Sequence, residues 1–338
     1  MMIITHGGLD MRIFKQIIRT AWLGALALSS VASSAAEWRP DKNVEIIIPT
    51  SPGGAVNRAG RLLQKLWHEH KLVDVPVSVI NKPGGAGVPA VMYLNQTGAN
   101  PHLLEIVSAG LLTSHITGQS KISHRDLTPL ALLASEYYVI AVHPNSPLTS
   151  GLEIIERLKR DPKSLSVGIG SALGGQSHMS LMVALKQAGV DVKQVRTVVF
   201  TSSSQSTAAL MGGHVDMVPA PASTVEPQIV ARKLRGMVVS APQRLGKGLA
   251  AVPTWKELGI AAEVANWRAA AGPKGLPAPA IAYWESVFMK VVETPEWRQD
   301  LQRNQLQGTY LNSRDTIRFL EAEYEEAKSM LTELGLAR

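Results

Sequence analysis

Two β-branched runs, each closed by Pro-Gly-Gly and each followed by a helix-like stretch, constrain this chain more than any other feature. The first reads Val44-Glu45-Ile46-Ile47-Ile48-Pro49-Thr50-Ser51-Pro52-Gly53-Gly54 and the second Val77-Ser78-Val79-Ile80-Asn81-Lys82-Pro83-Gly84-Gly85-Ala86-Gly87. A short β-branched run bounded by turn residues reads as a strand, and a helix behind it makes a βα unit. Glycine between strand and helix lets main chain come close to a ligand and turns free N–H groups toward it. Two such turns from neighbouring parallel strands would make an anion pocket out of backbone.

The alternation continues along the chain. Residues 56–70 carry Leu62, Leu63, Leu66 and Trp67 at helical spacing, and 88–96 reads the same way. Strands are expected at 103–107, 139–142, 166–169, 195–200, 215–218 and 237–240. A long charged helix is expected at 316–334, with Ile317, Leu320, Tyr324, Ala327 and Leu331 near one face and Gly335 placed to end it. Alternating β and α units predict an α/β fold of two lobes, each a helix-covered, mainly parallel sheet. Breaks near His143 and Ser240 assign residues 37–142 and 240–338 to the first lobe and 143–239 to the second. Ligands of such folds bind at the carboxyl ends of strands, where the glycine and serine loops fall.

The first residues read as an export signal. Arg12, Lys15 and Arg19 precede a short apolar stretch at 21–28, and small residues follow up to Ser34-Ala35-Ala36. The apolar stretch is short of the ~20 residues that span a bilayer. Residues 1–36 are therefore expected to be a cleaved signal peptide and the mature chain to be periplasmic. The 338 residues include no cysteine, which excludes disulfides, thiol catalysis and cysteine-ligated metals. The net charge is +7, or +5 without residues 1–36, which suits anionic small molecules, and the basic residues are too scattered for a nucleic-acid surface.

Catalytic and cofactor motifs do not assemble. Gly168, Gly170 and Gly174 approximate a dinucleotide fingerprint, but the spacing differs and no acidic residue ends a strand about 20 residues on. The run is read as a tight strand–helix turn whose Ser171 is free to contact a ligand. Histidines do not group at metal spacing; His68 and His70 do not share a helix face. No Gly-x-Ser-x-Gly elbow supplies an activated serine. The expectation is a protein that is not an enzyme and has no cofactor and no metal. Trp255, Trp267 and Trp284 are expected in the core. Lys82 is open to two readings, an anion partner or a solvated side chain.

The motifs together resemble the Bug family, the periplasmic receptors of tripartite tricarboxylate transporters. The likeness begins at Trp38-Arg39-Pro40-Asp41-Lys42-Asn43-Val44 and runs through both glycine loops, the second close to the family's Glu-Asn-Arg-Pro-Gly-Ala-Gly-Gly signature. Leu127-Thr128-Pro129-Leu130 and Val142-His143-Pro144-Asn145-Ser146-Pro147 are similar to its lobe-crossing segment. Gly212-Gly213-His214-Val215-Asp216, Arg244 and Val252-Pro253-Thr254-Trp255-Lys256-Glu257 complete the pattern.

The resemblance implies a two-lobed type II periplasmic binding fold that holds a small organic carboxylate. It implies a monomer that delivers its ligand to membrane transporter subunits. Residues carried over to the ligand site are Ser51, Pro52, Gly53, Gly54 and Asn57 on the first loop. Gly85, Ala86 and Gly87 come from the second loop, and Ser108 and Gly110 from a third. Ser171, Gly175, Ser177, His178 and Ser202 would face them from the other lobe, with Asp216 near the distal end. Two departures stand out. Asn57 occupies a position often acidic in the family, which disfavours a ligand donor there. Val199-Phe200-Thr201-Ser202 replaces a segment carrying tyrosine and lysine, which alters the distal pocket. A sensory co-receptor that presents ligand to a signalling partner, and a periplasmic enzyme on the same fold, are the competing readings.

Overall fold

A computed structural model describes residues 38–52, 55–84, 87–170 and 172–338, and residues 39–338 form one unit. Among the described residues ten strands make one mixed sheet in the order β2-β1-β3-β9-β4-β7-β5-β6, with β10 and β8 also paired to β4. The strands are β1 (Val44–Ile48), β2 (Val77–Asn81), β3 (Leu103–Ser108), β4 (Leu127–Val142) and β5 (Ser166–Gly170). They continue with β6 (Arg196–Phe200), β7 (Met217–Pro221), β8 (Arg235–Val239), β9 (Ala265–Pro273) and β10 (Leu306–Leu311).

Parallel pairing is confined to the outer strands. β1 is parallel to β2 and β3, and β5 is parallel to β6 and β7. β4 and β9 run antiparallel through the middle. β4 is far longer than the expected 139–142, because its first half was obscured by Pro129. Register shifts after Pro129 and after Leu132 absorb that proline within the ladder. From Leu127 to Tyr137 β4 pairs with β9; from Tyr138 to Val142 it pairs with β7. The two halves of the sheet thus exchange chain inside this strand, at Tyr137–Tyr138, ahead of His143.

Helices follow the strands. Those that bear on the site are α1 (Ala55–Glu69), α2 (Val88–Asn95), α3 (Gly110–Ile116), α4 (Gly151–Arg160), α5 (Gln176–Gln187), α6 (Ser203–Met211) and α7 (Ala222–Val230). α8 (Ala278–Val292), α9 (Pro295–Arg303) and α10 (Ser313–Glu333) come last. α1 buries Asn57, Gly60, Leu63, Leu66 and Trp67, one stripe at helical spacing. Gly60 packs closely on β1: a Cβ there would stand 2.5 Å from Ile48 Cδ1, which would have to shift. Trp67 stacks on Trp284 of α8 at 5.4 Å between ring centroids. Trp255, Trp267 and Trp284 are fully buried, as expected. Gly335 adopts a left-handed φ of 72° and ends α10, where Leu336 N–H returns to the Leu331 carbonyl.

Candidate functional site

The carboxyl ends of β3 and β5 border one cavity of about 280 Å³. Ser108 and Gly110 line it from the β3–α3 turn, and Gly170, Gly174, Gly175 and Ser177 from the β5–α5 turn. Tyr138 of β4 and Asn266 of β9 contribute from the middle strands. A second cavity, about 240 Å³, is lined by Thr50, Gly84, Gly87, Glu105 and Val107 and shares Ser108 and Gly110 with the first. No described residue lining the first cavity carries a charged side chain. The polar groups offered to it are hydroxyls, amides and main chain.

Local sequence explains how main chain comes to face these spaces. Gly84 and Gly87 take φ values of 110° and 95°, which residues with a Cβ avoid. Gly87 is the residue that opens α2, while α5 and α6 begin at the lining residues Gln176 and Ser203. The unpaired N–H groups of a helix's first turn carry partial positive charge, so these starts favour an anion. At Gly170 a Cβ would stand 2.6 Å from Ser203 Cα, so only glycine lets α6 approach β5.

Several expected ligand residues act behind the cavities instead. Asn57 is buried in α1; its Nδ2 donates to Asn81 Oδ1 at 3.1 Å, and Asn81 Nδ2 donates to the Thr50 carbonyl at 2.7 Å. It braces the first loop against the second and lines neither cavity. Ser177 borders the first cavity, but its hydroxyl donates to the Pro219 carbonyl at 2.5 Å and accepts the Gly170 N–H at 3.3 Å. His178 is buried; its Nδ1 accepts the Gly174 N–H at 3.1 Å, and burial pulls the ring down to about 4. It holds the turn rather than reaching a solute.

Ser202 caps α6 by accepting the Gln205 N–H, and its neighbour Ser203 lines the cavity in its place. Asp216 lines neither cavity. Its carboxylate accepts the N–H and hydroxyl of Ser166, both at 2.7 Å, at the start of β5. Gly170, at the other end of that strand, is about 13 Å away at ~3.3 Å per residue. Asp216 therefore locks the opposite edge of the sheet.

Ser108, Gly110, Gly175 and Ser177 line the first cavity, and Gly87, with Ser108 and Gly110, lines the second. Ser51 and Pro52 are exposed and line neither. Gly53, Gly54, Gly85, Ala86 and Ser171 lie outside the described residues. Lys82 is half-buried, with its ammonium 3.9 Å from the ring centroid of Tyr93. Sequence reasoning missed Thr113, Ser114, Thr117 and Gln119 on and after α3, and Tyr138 and Asn266 on the middle strands. Thr113, Ser114 and Thr117 were legible in principle, as hydroxyls at helical spacing just after the Ser108-Ala109-Gly110 turn.

The chain matches the model of the tripartite tricarboxylate transporter family receptor over residues 63–336. It is 27% identical over 322 residues to the UPF0065 protein in the gbd 5'region of Cupriavidus necator, covering 94% of this chain and 95% of that protein. Among solved structures it is similar to a TctC solute binding protein from Polaromonas, with a TM-score of 0.77 and 24% identity over 87% of this chain and 99% of the other. It is also similar to Rpa4515 of R. palustris, solved with adipate, with a TM-score of 0.72 and 22% identity over 88% of this chain and 99% of the other. These neighbours share the type II periplasmic binding fold seen here. The chain belongs to the tripartite tricarboxylate transporter receptors, the Bug family of periplasmic solute-binding proteins, and is a receptor rather than an enzyme.

Proposed function

We propose that this receptor captures a small organic carboxylate in the two cavities that share Ser108 and Gly110 and hands it to the membrane subunits of a tripartite tricarboxylate-type transporter. The observation that carries this reading is a cavity bordered by glycine turns and helix starts, with no charged side chain among its described lining residues. Main-chain N–H groups and neutral hydroxyls then supply the binding. Each charge-assisted hydrogen bond contributes roughly 1.5–3 kcal/mol, so four give about 6–12 kcal/mol before ordering costs. Micromolar affinity needs about 8 kcal/mol. The adipate held by the R. palustris neighbour is a ligand of this chemical kind.

In this reading residues 1–36 are a cleaved signal, and the mature chain works as a periplasmic monomer. The two halves of the sheet are lobes that close on the ligand, hinged where the chain crosses between them. Ser240 ties both crossings: its hydroxyl accepts the Tyr138 N–H at 3.0 Å and donates to the Val264 carbonyl at 2.7 Å. A thermal-shift screen of mono-, di- and tricarboxylates tests the reading. An acid that binds the folded state at 100 times its Kd adds about 2.7 kcal/mol of stability and raises the melting temperature. A response only to cationic or uncharged solutes would overturn it.

A further inference from the structure

The second cavity contains an acid that a carboxylate site does not call for. Glu105 sits in the middle of β3, 1% exposed, opposite Ile47 of β1 and Ala271 of β9. Its Oε2 is buried without a hydrogen-bond partner, and so is the hydroxyl of Thr50, which lines the same cavity. An unpartnered buried polar group costs roughly 1–3 kcal/mol. Both residues line one cavity, and both atoms are left outside the protein's own hydrogen-bond network.

The protonation state of Glu105 decides which ligand atom suits it. The elements packed on β3 bring few titratable groups, and each is engaged elsewhere. Glu45 of β1 accepts from the Tyr93 hydroxyl of α2 at 2.8 Å, and Lys82 lies over that same ring. Arg268 of β9 is held by Glu136 at 3.0 Å, and His115 of α3 by Tyr324 at 2.9 Å. α1 turns only its uncharged stripe inward. Burial alone therefore governs Glu105 and pushes its carboxyl well above the ordinary range. A neutral carboxylic acid and a hydroxyl are both donors, and the partner they ask for is an acceptor.

We propose that Glu105 and Thr50 form a donor subsite that shares a short hydrogen bond with the ligand carboxylate, making capture proton-linked. This rests on the carboxylate reading of the cleft. The proton stays on Glu105, and the ligand oxygen accepts the hydrogen bond. Binding favours the protonated form, so affinity is full below the Glu105 pKa of the free receptor. Above it, affinity falls tenfold per pH unit, with up to one proton taken up per ligand bound.

Calorimetry of wild type and Glu105→Gln with acetate, malate, adipate and citrate, at pH 5.5 to 9 and in buffers of different ionisation enthalpy, tests this. Wild type is expected to lose affinity with rising pH and to take up a proton. Glu105→Gln keeps a neutral donor and is expected within about threefold of wild type at pH 5.5, with a flat profile. Glu105→Leu checks folding: its melting temperature should rise, most at high pH, while affinity falls at least tenfold. A wild-type profile that is flat, or identical to that of Glu105→Gln, overturns the proton linkage alone. Proton release on binding overturns it. No binding of any of the four acids overturns the carboxylate reading and this inference with it.

Discussion

Arg268 places its Nη2 3.0 Å from Oε2 of Glu136, and both side chains are buried. The pair sits where β4 passes from one half of the sheet to the other, and the other Glu136 oxygen accepts from Ser223 at the start of α7. Arg268 also stands opposite Ser108 in the β3–β9 ladder, so the pair lies under the turn that both cavities share. Removing one partner of a buried pair leaves an uncompensated charge, at a cost of about 3–5 kcal/mol. Glu136→Gln is expected to show that loss in chemical denaturation. Replacing both with apolar residues of similar volume is expected to recover most of it.

His178 gives the fold an acid limit. Its folded pKa of about 4 lies below the ordinary 6.5, so the unfolded chain binds more protons between those values. Stability then falls as pH drops through that window, by roughly 3 kcal/mol for the full shift. Protonation also removes the acceptor that holds the Gly174 N–H. Denaturation of wild type and His178→Gln at pH 7 and pH 4.5 should show a smaller acid loss in the variant.

Asn81 is the brace between the first two loops. Its side chain donates to the Thr50 carbonyl and accepts from Asn57. Asn81→Ala is expected to cost about 1–3 kcal/mol of stability, because it leaves buried groups unpaired. It is also expected to weaken ligand binding, since Thr50 borders the cavity. Calorimetry beside a denaturation curve separates the two effects.

Asp216 should behave oppositely. Its carboxylate holds Ser166 at the edge of the sheet away from the cavities. Asp216→Ala is expected to lower stability by about 1–3 kcal/mol and leave ligand affinity unchanged. A large loss of affinity with the fold intact would return Asp216 to the binding site.

These cases separate what was readable from what was not. The β-branched runs ending in glycine announced β1, β2 and the turns after them, because each signal is local. Gly110, Gly175 and Ser108 were legible for the same reason. Tyr138 and Asn266 were not, since they reach the site only through the antiparallel pairing of β4 with β9, which no local pattern carries. Pro129 hid half of β4 because its ladder accepts the proline only with a register shift. Asp216 and His178 fell beside the right motifs, but strand direction and burial turned one to the wrong edge and the other behind the turn. Glu105 gave a visible signal, a lone acid in an apolar strand, whose meaning depends on which cavity it meets.

The central claim is that the cleft around Gly110 holds the solute. A Cβ added to Gly110 meets nothing nearer than Ser108 Oγ at 4.0 Å, and no left-handed φ is required there. A large side chain can therefore fill the space without straining the backbone. Calorimetry of wild type and Gly110→Phe with the acid that most raises the wild-type melting temperature is the direct measurement. The account predicts a variant that melts within a few degrees of wild type and binds the acid at least a hundredfold more weakly. Equal affinity in the two proteins would contradict it.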